Sequence, residues 1–476
     1  MSSAPAHNSA PVVRALWDLW LAGGAIYALI LAYAVRIAGL RMLIMDMAFQ
    51  TFLILKDGSL QIQSGRFGAA VTQVFAWAAQ EAGLPLSGVL IAYSLGHALW
   101  PALLFFFALR LGQWQWALCI AACGSFMTTH TFYWLSEMHQ GLPFLLAIFA
   151  WMHARGSWRG FPRYAWPLWI GAIITAFYFH PLMLYACVFV CLFFGLEWRR
   201  GRDWVMTHAL ALGLMGVIAV FKYKILPLDW YDAMSLERAK AYADTWPHWI
   251  DIQANRDFVR WCLRDYYLFP LLLAVNTFFY FLKKQALKAL LVALYPCAYV
   301  LLVNVPFHAG DKQFYLENMY LPLSVMIAVP LAFDVAPALL SPRAAVWLMV
   351  GIWVLRLGHV YEARQSWQVR QNWQRDLLAQ TAALPERKLL LAEQQAPMDT
   401  LLLSWSAVYE FLLLSALEHP DSARSILIDE DPARFDSLRC APDLFLGEFR
   451  NYPYPALPKR YFAPRDSGCY VFFKKN

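Results

Sequence analysis

The sequence predicts a mainly α, polytopic helical bundle set in a membrane, with a small α/β region at its C-terminal end. Three observations carry that prediction. Of the 476 residues, 60% are hydrophobic and 15% charged, whereas a soluble domain carries roughly 25% charged residues. The apolar residues gather in long runs, with lysines and arginines concentrated in the short loops between them. Beyond about residue 359 the pattern changes to short apolar stretches separated by mixed charge.

A helix needs about 20 apolar residues to cross a bilayer, and fewer when neighbours shelter it. About eleven runs meet that description, near 15–36, 84–108, 114–128, 140–154, 165–180, 182–197, 204–222, 266–282, 286–304, 319–336 and 344–358. The opening "MSSAPAHNSAPVVRALWDLW" lacks the basic region and cleavable apolar stretch of a signal peptide, so the first run reads as a retained span. With the N-terminus in the cytoplasm, the inside loops hold Arg110, then Arg155, Arg159 and Arg163, then Arg199, Arg200 and Arg202, then Lys283, Lys284 and Lys288, and Arg343. Short basic loops belong on the cytoplasmic side. The net charge of +7 is therefore a topology signal, and it does not point to nucleic acid.

The outer segments then hold most of the acids and histidines. They are 37–83, 129–139, the turn at 179–181, 223–265, 305–318 and the C-terminal stretch. Residues 66–83, within "GRFGAAVTQVFAWAAQEAGL", have apolar positions at helical spacing and read as an amphipathic helix in the interface plane. Segment 223–265 is rich in Trp and Tyr, which suit the headgroup layer or the face of a sugar ring. Domain division follows: 1–358 as the membrane module, 359–476 as a small extracytoplasmic α/β domain. In the latter, "RKLLLAE", "SILIDED" and "GCYVFF" read as strands and "MDTLLLSWSAVYEFLLLSALE" as a helix. Cys119 with Cys123 and Cys187 with Cys191 share helix faces as buried thiols, and Cys440 and Cys469 can pair if their segment lies outside the cytoplasm.

Candidate chemistry gathers on the outer side. Asp46, in "IMDMAFQ", is a lone acid among apolar neighbours. A carboxylate held partly dry is a stronger base, suited to removing a hydroxyl proton. "THTFYWLSEMHQGLP" offers Glu137 and His139, whose i, i+2 spacing points them apart on a helix and suits a pocket rim better than a metal. His180 sits at a turn fixed by Pro181, where a bond to backbone is the simplest use for it. "FHAGDKQFYLENMYLPL" carries His308, Lys312 and Glu317. Lys312 can meet a phosphate as a point charge, while Glu317 also fits a helix-start role. Arg66, beside Gly65, can reach a phosphate or snorkel to lipid headgroups. No Gly-rich phosphate loop, CxxC pair or serine elbow is present.

With Asp46 in the first outer loop, an amphipathic stretch at 66–83 and "DKQFYLENMYLP" before a late span, the chain resembles the GT-C superfamily of membrane glycosyltransferases. It departs from that pattern in two places. Asn318 stands where some members show arginine, and the next acid after Asp46, Asp57, is eleven residues away. The resemblance implies transfer of a sugar from a polyprenyl-phosphate donor to a hydroxyl of a glycan, lipid or protein acceptor. It implies Asp46 as general base, with Lys312 and Arg66 stabilising the departing lipid phosphate. Beside these, the residues themselves offer Glu137 as a second catalytic candidate and Arg66, His139, His180, His308, Lys312 and Glu317 as candidate substrate contacts. It leaves room for a divalent cation (Mg2+ or Mn2+) without requiring one, because protein cations can stabilise a departing lipid phosphate.

Two rival classes are a lipid or glycan transporter and a different membrane transferase, moving acyl or phospho groups. A transporter calls for repeats and charges at mid-membrane. No repeat is visible, and His97 and Asp334 are the exceptions in nearly charge-free spans. The other transferases call for a nucleophile or a ligand set, and neither stands out. A bacterial inner membrane, with the site facing the periplasm, is the expected location, since no organelle signal opens the chain and no glycosylation acceptor recurs in the outer loops.

Overall fold

The computed structural model describes residues 10–197, 200–441, 443–463 and 468–473. Arg199, one of the loop cations counted above, lies outside the described residues. The chain is mainly helical, and every one of the eleven expected runs falls on helix. Among the described residues, however, six helices are long and apolar enough to cross a membrane: Val12–Arg36, Leu86–Arg110, Arg202–Ile225, Ala286–Phe307, Pro322–Leu339 and Pro342–Thr381. A seventh span results if Gln253–Arg264 and Leu268–Leu282, bent by 89° at their junction, count as one.

The difference from eleven has a local cause at several places. Trp114–Cys123 stops at Gly124 after 10 residues, about 15 Å of helix. Residues 124–137 then run as irregular backbone through the packed interior, down to the start of Met138–Arg155. Ala165–Phe177 and Met183–Gly195 are likewise short, separated by the turn that carries His180 and Pro181. Trp114–Cys123 is buried throughout and Met183–Gly195 largely so, while Ala165–Phe177 buries one face and leaves Leu168 and Ile170 exposed; all three pack into a single large core that includes Trp116, Phe149, Phe194 and Met326. Both cysteine pairs lie in it, with the Cys187 and Cys191 sulfurs 3.9 Å apart.

The helix Pro342–Thr381 continues for 40 residues with no break at residue 359, a length of about 60 Å. It delivers the chain to the C-terminal sheet region. Strand β1 (Lys388–Ala392) pairs in parallel with β2 (Ser425–Asp429), Leu389 opposite Ile426. On its other side β1 pairs in parallel with β5 (Val471–Phe472). Strands β3 (Leu444–Phe445) and β4 (Tyr452–Pro453) form a separate antiparallel pair. "KLLLA" and "SILID" are apolar on both faces, as a doubly covered parallel sheet requires. Leu389, Leu391, Ile426 and Ile428 pack with Leu377 and Phe411 on one side. Leu390 and Leu427 share the other side's core with Phe445, Met47 and Phe52. The expected single helix of 398–418 is broken: Met398–Leu401 ends at Leu402, whose φ of 71° is left-handed, and Ala407–Ala416 starts afresh.

Because the Met45–Asp57 helix contributes Met47 and Phe52 to that core, the C-terminal region is packed directly on that helix. Cys440 and Cys469 are joined in a disulfide. Non-reducing peptide mapping of the purified protein is expected to recover these two cysteines cross-linked. Reduction is expected to cost about 3 kcal/mol of stability, from the freedom regained by the opened loop. Two free thiols in the oxidised preparation would instead put the region in a reducing compartment.

Candidate active site

Side chains from six segments converge on one cavity of about 520 Å³, those at 46–66, 134–137, 180, 229–231, 315–319 and 403–449. The Met45–Asp57 helix brings Asp46 in its first turn, and its next turn brings Phe49 and Gln50. The end of the irregular stretch brings Trp134, Ser136 and Glu137. The 223–265 segment supplies Asp229, Trp230 and Tyr231, and the C-terminal region supplies Leu403, Trp405 and Phe449.

Arg66 reaches the cavity because of how its own segment is built. Ser64 and Gly65 are both left-handed, with φ of 51° and 65°, so the chain reverses sharply just before Arg66. Gln73 locks the strip from the other side, accepting the Gln61 N–H at 2.7 Å and donating to the Gln61 carbonyl at 2.9 Å. Gly68 then lies flat on the Phe179 ring, where an added Cβ would come within 2.5 Å. Phe67 stacks on Tyr178 at 4.6 Å. This docking sets Arg66 beside the His180 turn.

The guanidinium of Arg66 lies 3.6 Å from the Glu137 carboxylate and 4.9 Å above the Tyr231 ring. Its Nε has no partner among the described residues and is buried. Burial works against the Arg66 cation, but Glu137, Tyr231 and Asp232 outweigh it and hold the group firmly protonated. His180 accepts the Leu182 N–H at Nδ1, 3.2 Å away. The ring proton is therefore on Nε2. Burial, with Arg66 and Lys222 nearby, keeps the ring neutral, its basicity well below that of a free histidine. A neutral imidazole N–H and a guanidinium thus line the same end of the cavity.

Asp46 is half-buried on the cavity wall. Burial pushes its carboxyl up to about 7, and the negative charge of Glu137 adds to the rise. Arg66 and the otherwise unpartnered Trp134 indole N–H pull it down. The result is a carboxyl that exchanges its proton near neutrality.

The structure brings Asp46, Arg66, Glu137 and His180 together, and it does not bring the other four sequence candidates to them. His139 turns away along its helix, as the i, i+2 spacing with Glu137 requires, and lines a separate 60 Å³ cavity with Arg41 and His97. His308 and Lys312 are exposed on their loop and are not part of the cavity wall. Glu317 is fully buried within the Gln313–Tyr320 helix, where it accepts hydrogen bonds from Thr129 N, Thr131 N, Thr131 Oγ1 and Tyr266 Oη at 2.7–2.8 Å. All of its acceptor capacity is spent on protein donors, which corrects the expectation of substrate contact.

Sequence reasoning missed Asp229, Tyr231 and Tyr315 individually, although each falls in a segment singled out as polar or aromatic, and it named Asn318 only as a departure from the family pattern. Trp405 and Phe449 gave no signal, since nothing local ties them to residue 46. No family model matches the chain, and comparison with characterised proteins and with solved structures finds no match.

Two outcomes follow from these carboxyl environments. A raised folded-state carboxyl contributes stability that is fully present below its unfolded value of 3.8 and fades as pH rises through about 7. Asp46→Asn is therefore expected to gain thermal stability relative to the unmodified protein between pH 5 and pH 8; a pH-independent difference would contradict the environment described. Glu317→Leu strands its donors in the interior and is expected to destabilise by about 3 kcal/mol or more, read as a lowered melting temperature in detergent. An unchanged melting point would contradict the structural role of Glu317.

Proposed function

We propose that this chain is a membrane glycosyltransferase of the GT-C type. In this reading it moves a sugar from a polyprenyl-phosphate donor to an acceptor hydroxyl on the outer face of a bacterial inner membrane, within an eleven-segment bundle whose N-terminus is cytoplasmic. One observation carries the reading: a single cavity pairs a carboxyl poised near pH 7 with a guanidinium and a neutral imidazole N–H.

The chemistry follows from those groups. Asp46, ionised, takes the proton of the acceptor hydroxyl as its oxygen attacks the anomeric carbon. The new carbon–oxygen bond forms on the face opposite the phosphate, so configuration inverts. The bond to the phosphate oxygen breaks, and its electron pair leaves on the lipid phosphate. Arg66 and the His180 N–H meet the charge that develops there, and Lys312, expected to share that role with Arg66, lies off the cavity wall. Glu137 keeps Asp46 basic by its negative charge and holds Arg66 in place. Trp230, Tyr231 and Trp405 offer flat apolar faces to a sugar ring.

Among the described residues, protein side chains alone form no cage for Mg2+ or Mn2+. Asp46, Glu137 and Asp229 all line the cavity, yet no three His, Cys, Asp or Glu side chains among the described residues come together as a ligand group. No step is assigned to a metal.

The test is transfer from a radiolabelled polyprenyl-phosphate sugar in proteoliposomes. Asp46→Asn is expected to reduce the rate by about 10²-fold or more, with the protein still folded. In the unmodified protein the rate is expected to rise with pH to a plateau above about 7, as the carboxyl ionises. A fully active Asn variant would reject the assignment.

A further inference from the structure

Asp46 follows an unusual residue. Met45 has φ of 43°, a left-handed backbone on a buried side chain with a full Cβ. Ile44 before it is extended, so the chain turns abruptly at Met45 to begin the helix that carries Asp46. Left-handed conformations at non-glycine residues persist only where the surroundings impose them.

What imposes it comes from the far end of the sequence. The Met45 N–H donates to Glu410 Oε1 at 2.8 Å, across 365 residues. Glu410 is fully buried. It is held in turn by Arg370 Nη2 at 2.9 Å, by Ser406 Oγ at 2.6 Å and by Gln374 Nε2 at 2.5 Å. Arg370 is itself buried and fixed to the Leu401 carbonyl at 2.9 Å. Burial opposes the Glu410 charge, but Arg370, Ser406 and the Met45 N–H outweigh it and keep the carboxylate ionised. Next to it, Tyr409 packs on Phe49, one turn beyond Asp46, with ring centroids 4.8 Å apart.

We infer that Glu410 is the positioning residue for Asp46: by gripping the Met45 N–H it fixes the left-handed turn that starts the helix and aims the Asp46 carboxylate into the cavity. Glu410 never touches the cavity itself. Arg370, Gln374 and Ser406 are the frame that keeps it rigid. The C-terminal region thereby sets the geometry of a first-loop carboxylate. This inference rests on Asp46 being the general base proposed above.

The experiment compares Arg370→Met/Glu410→Gln with Arg370→Met/Glu410→Leu in the full-length protein in detergent. Replacing Arg370 in both avoids a stranded cation, and Gln keeps an acceptor oxygen that Leu lacks. Two readouts need no substrate: hydrogen exchange at the Met45 amide, and the pH midpoint for carbodiimide labelling of Asp46. The Gln pair is expected to keep both close to the unmodified protein. The Leu pair is expected to exchange the Met45 amide about tenfold faster or more, with the labelling midpoint shifted away from 7. Identical behaviour of the two pairs would overturn the inference. If the Leu pair does not fold, the unmodified protein decides alone, because unprotected exchange at Met45 also overturns it. An Asp46→Asn variant that transfers sugar at full rate removes the base role, whereas exchange and labelling read only whether Glu410 sets Asp46.

Discussion

The cavity that Asp46 lines depends on how residues 124–134 are held. They are irregular backbone inside a packed, apolar interior, and every polar group there must find a partner. Three buried charged side chains from other parts of the chain do the holding. Arg356 donates to the carbonyls of Ser125 and Thr128 at 3.0 and 2.9 Å and to Thr129 Oγ1 at 3.1 Å. Glu317 accepts the Thr129 and Thr131 N–H groups. Arg41 donates to the Phe132 carbonyl at 3.1 Å. Thr129 is thus gripped by a cation on its side chain and an anion on its backbone. Ordinary helix could not pass here and still end with Trp134, Ser136 and Glu137 on a cavity wall. Buried charges are an expensive way to stabilise a fold, and here they specify a path for the backbone.

The same chemical group is put to opposite uses within a short distance, and the number of donors around it separates them. Glu317 and Glu410 each take several hydrogen bonds from fixed protein donors, so each is a closed structural node. Asp46 and Glu137 are left short of donors at the edge of open space. Glu137 has one cation at 3.6 Å, and Asp46 has the Trp134 N–H and the more distant field of Arg66. A carboxylate short of partners is a stronger base. The fold therefore creates basicity at Asp46 by satisfying everything else around it. Strongly perturbed carboxyls of this kind gather at functional sites, which is the ground for proposing Asp46 as a base.

Composition and periodicity made the helical, membrane-type character legible, and the three strands of the parallel sheet stood out as short apolar runs. That Arg66, Glu137 and His180 lie between the apolar helices was legible too, because each broke an apolar pattern, whereas the helix Met45–Asp57 that carries Asp46 was read as loop. Helix lengths were not. An apolar run looks the same whether it crosses a bilayer or, like Trp114–Cys123, stops halfway because a distant Arg356 and Glu317 can satisfy an irregular continuation. Glu317 and Lys312 could not be told apart from sequence, since both sit in one polar stretch. The Gln313–Tyr320 helix buries Glu317, while Lys312, just before that helix, stays in solvent. Contacts such as Met45 with Glu410 join residues too far apart for any local pattern to register.

That last contact bears on what the C-terminal region is. As a run of short strands after the last apolar segment it reads as an appended domain. Its packing says otherwise: one side of its sheet and the Met45–Asp57 helix share a single core through Met47, Phe52, Leu390 and Phe445. Trp405 and Phe449 complete the cavity wall and meet Phe49 at 6.1 and 5.6 Å. The Met45–Asp57 helix has an apolar side to bury as well as a left-handed turn and a half-buried acid at its start. A second surface must cover its apolar side and supply an acceptor for Met45. The region beyond Thr381 provides both, so a cavity with Asp46 on its wall exists only where the two ends of the chain meet.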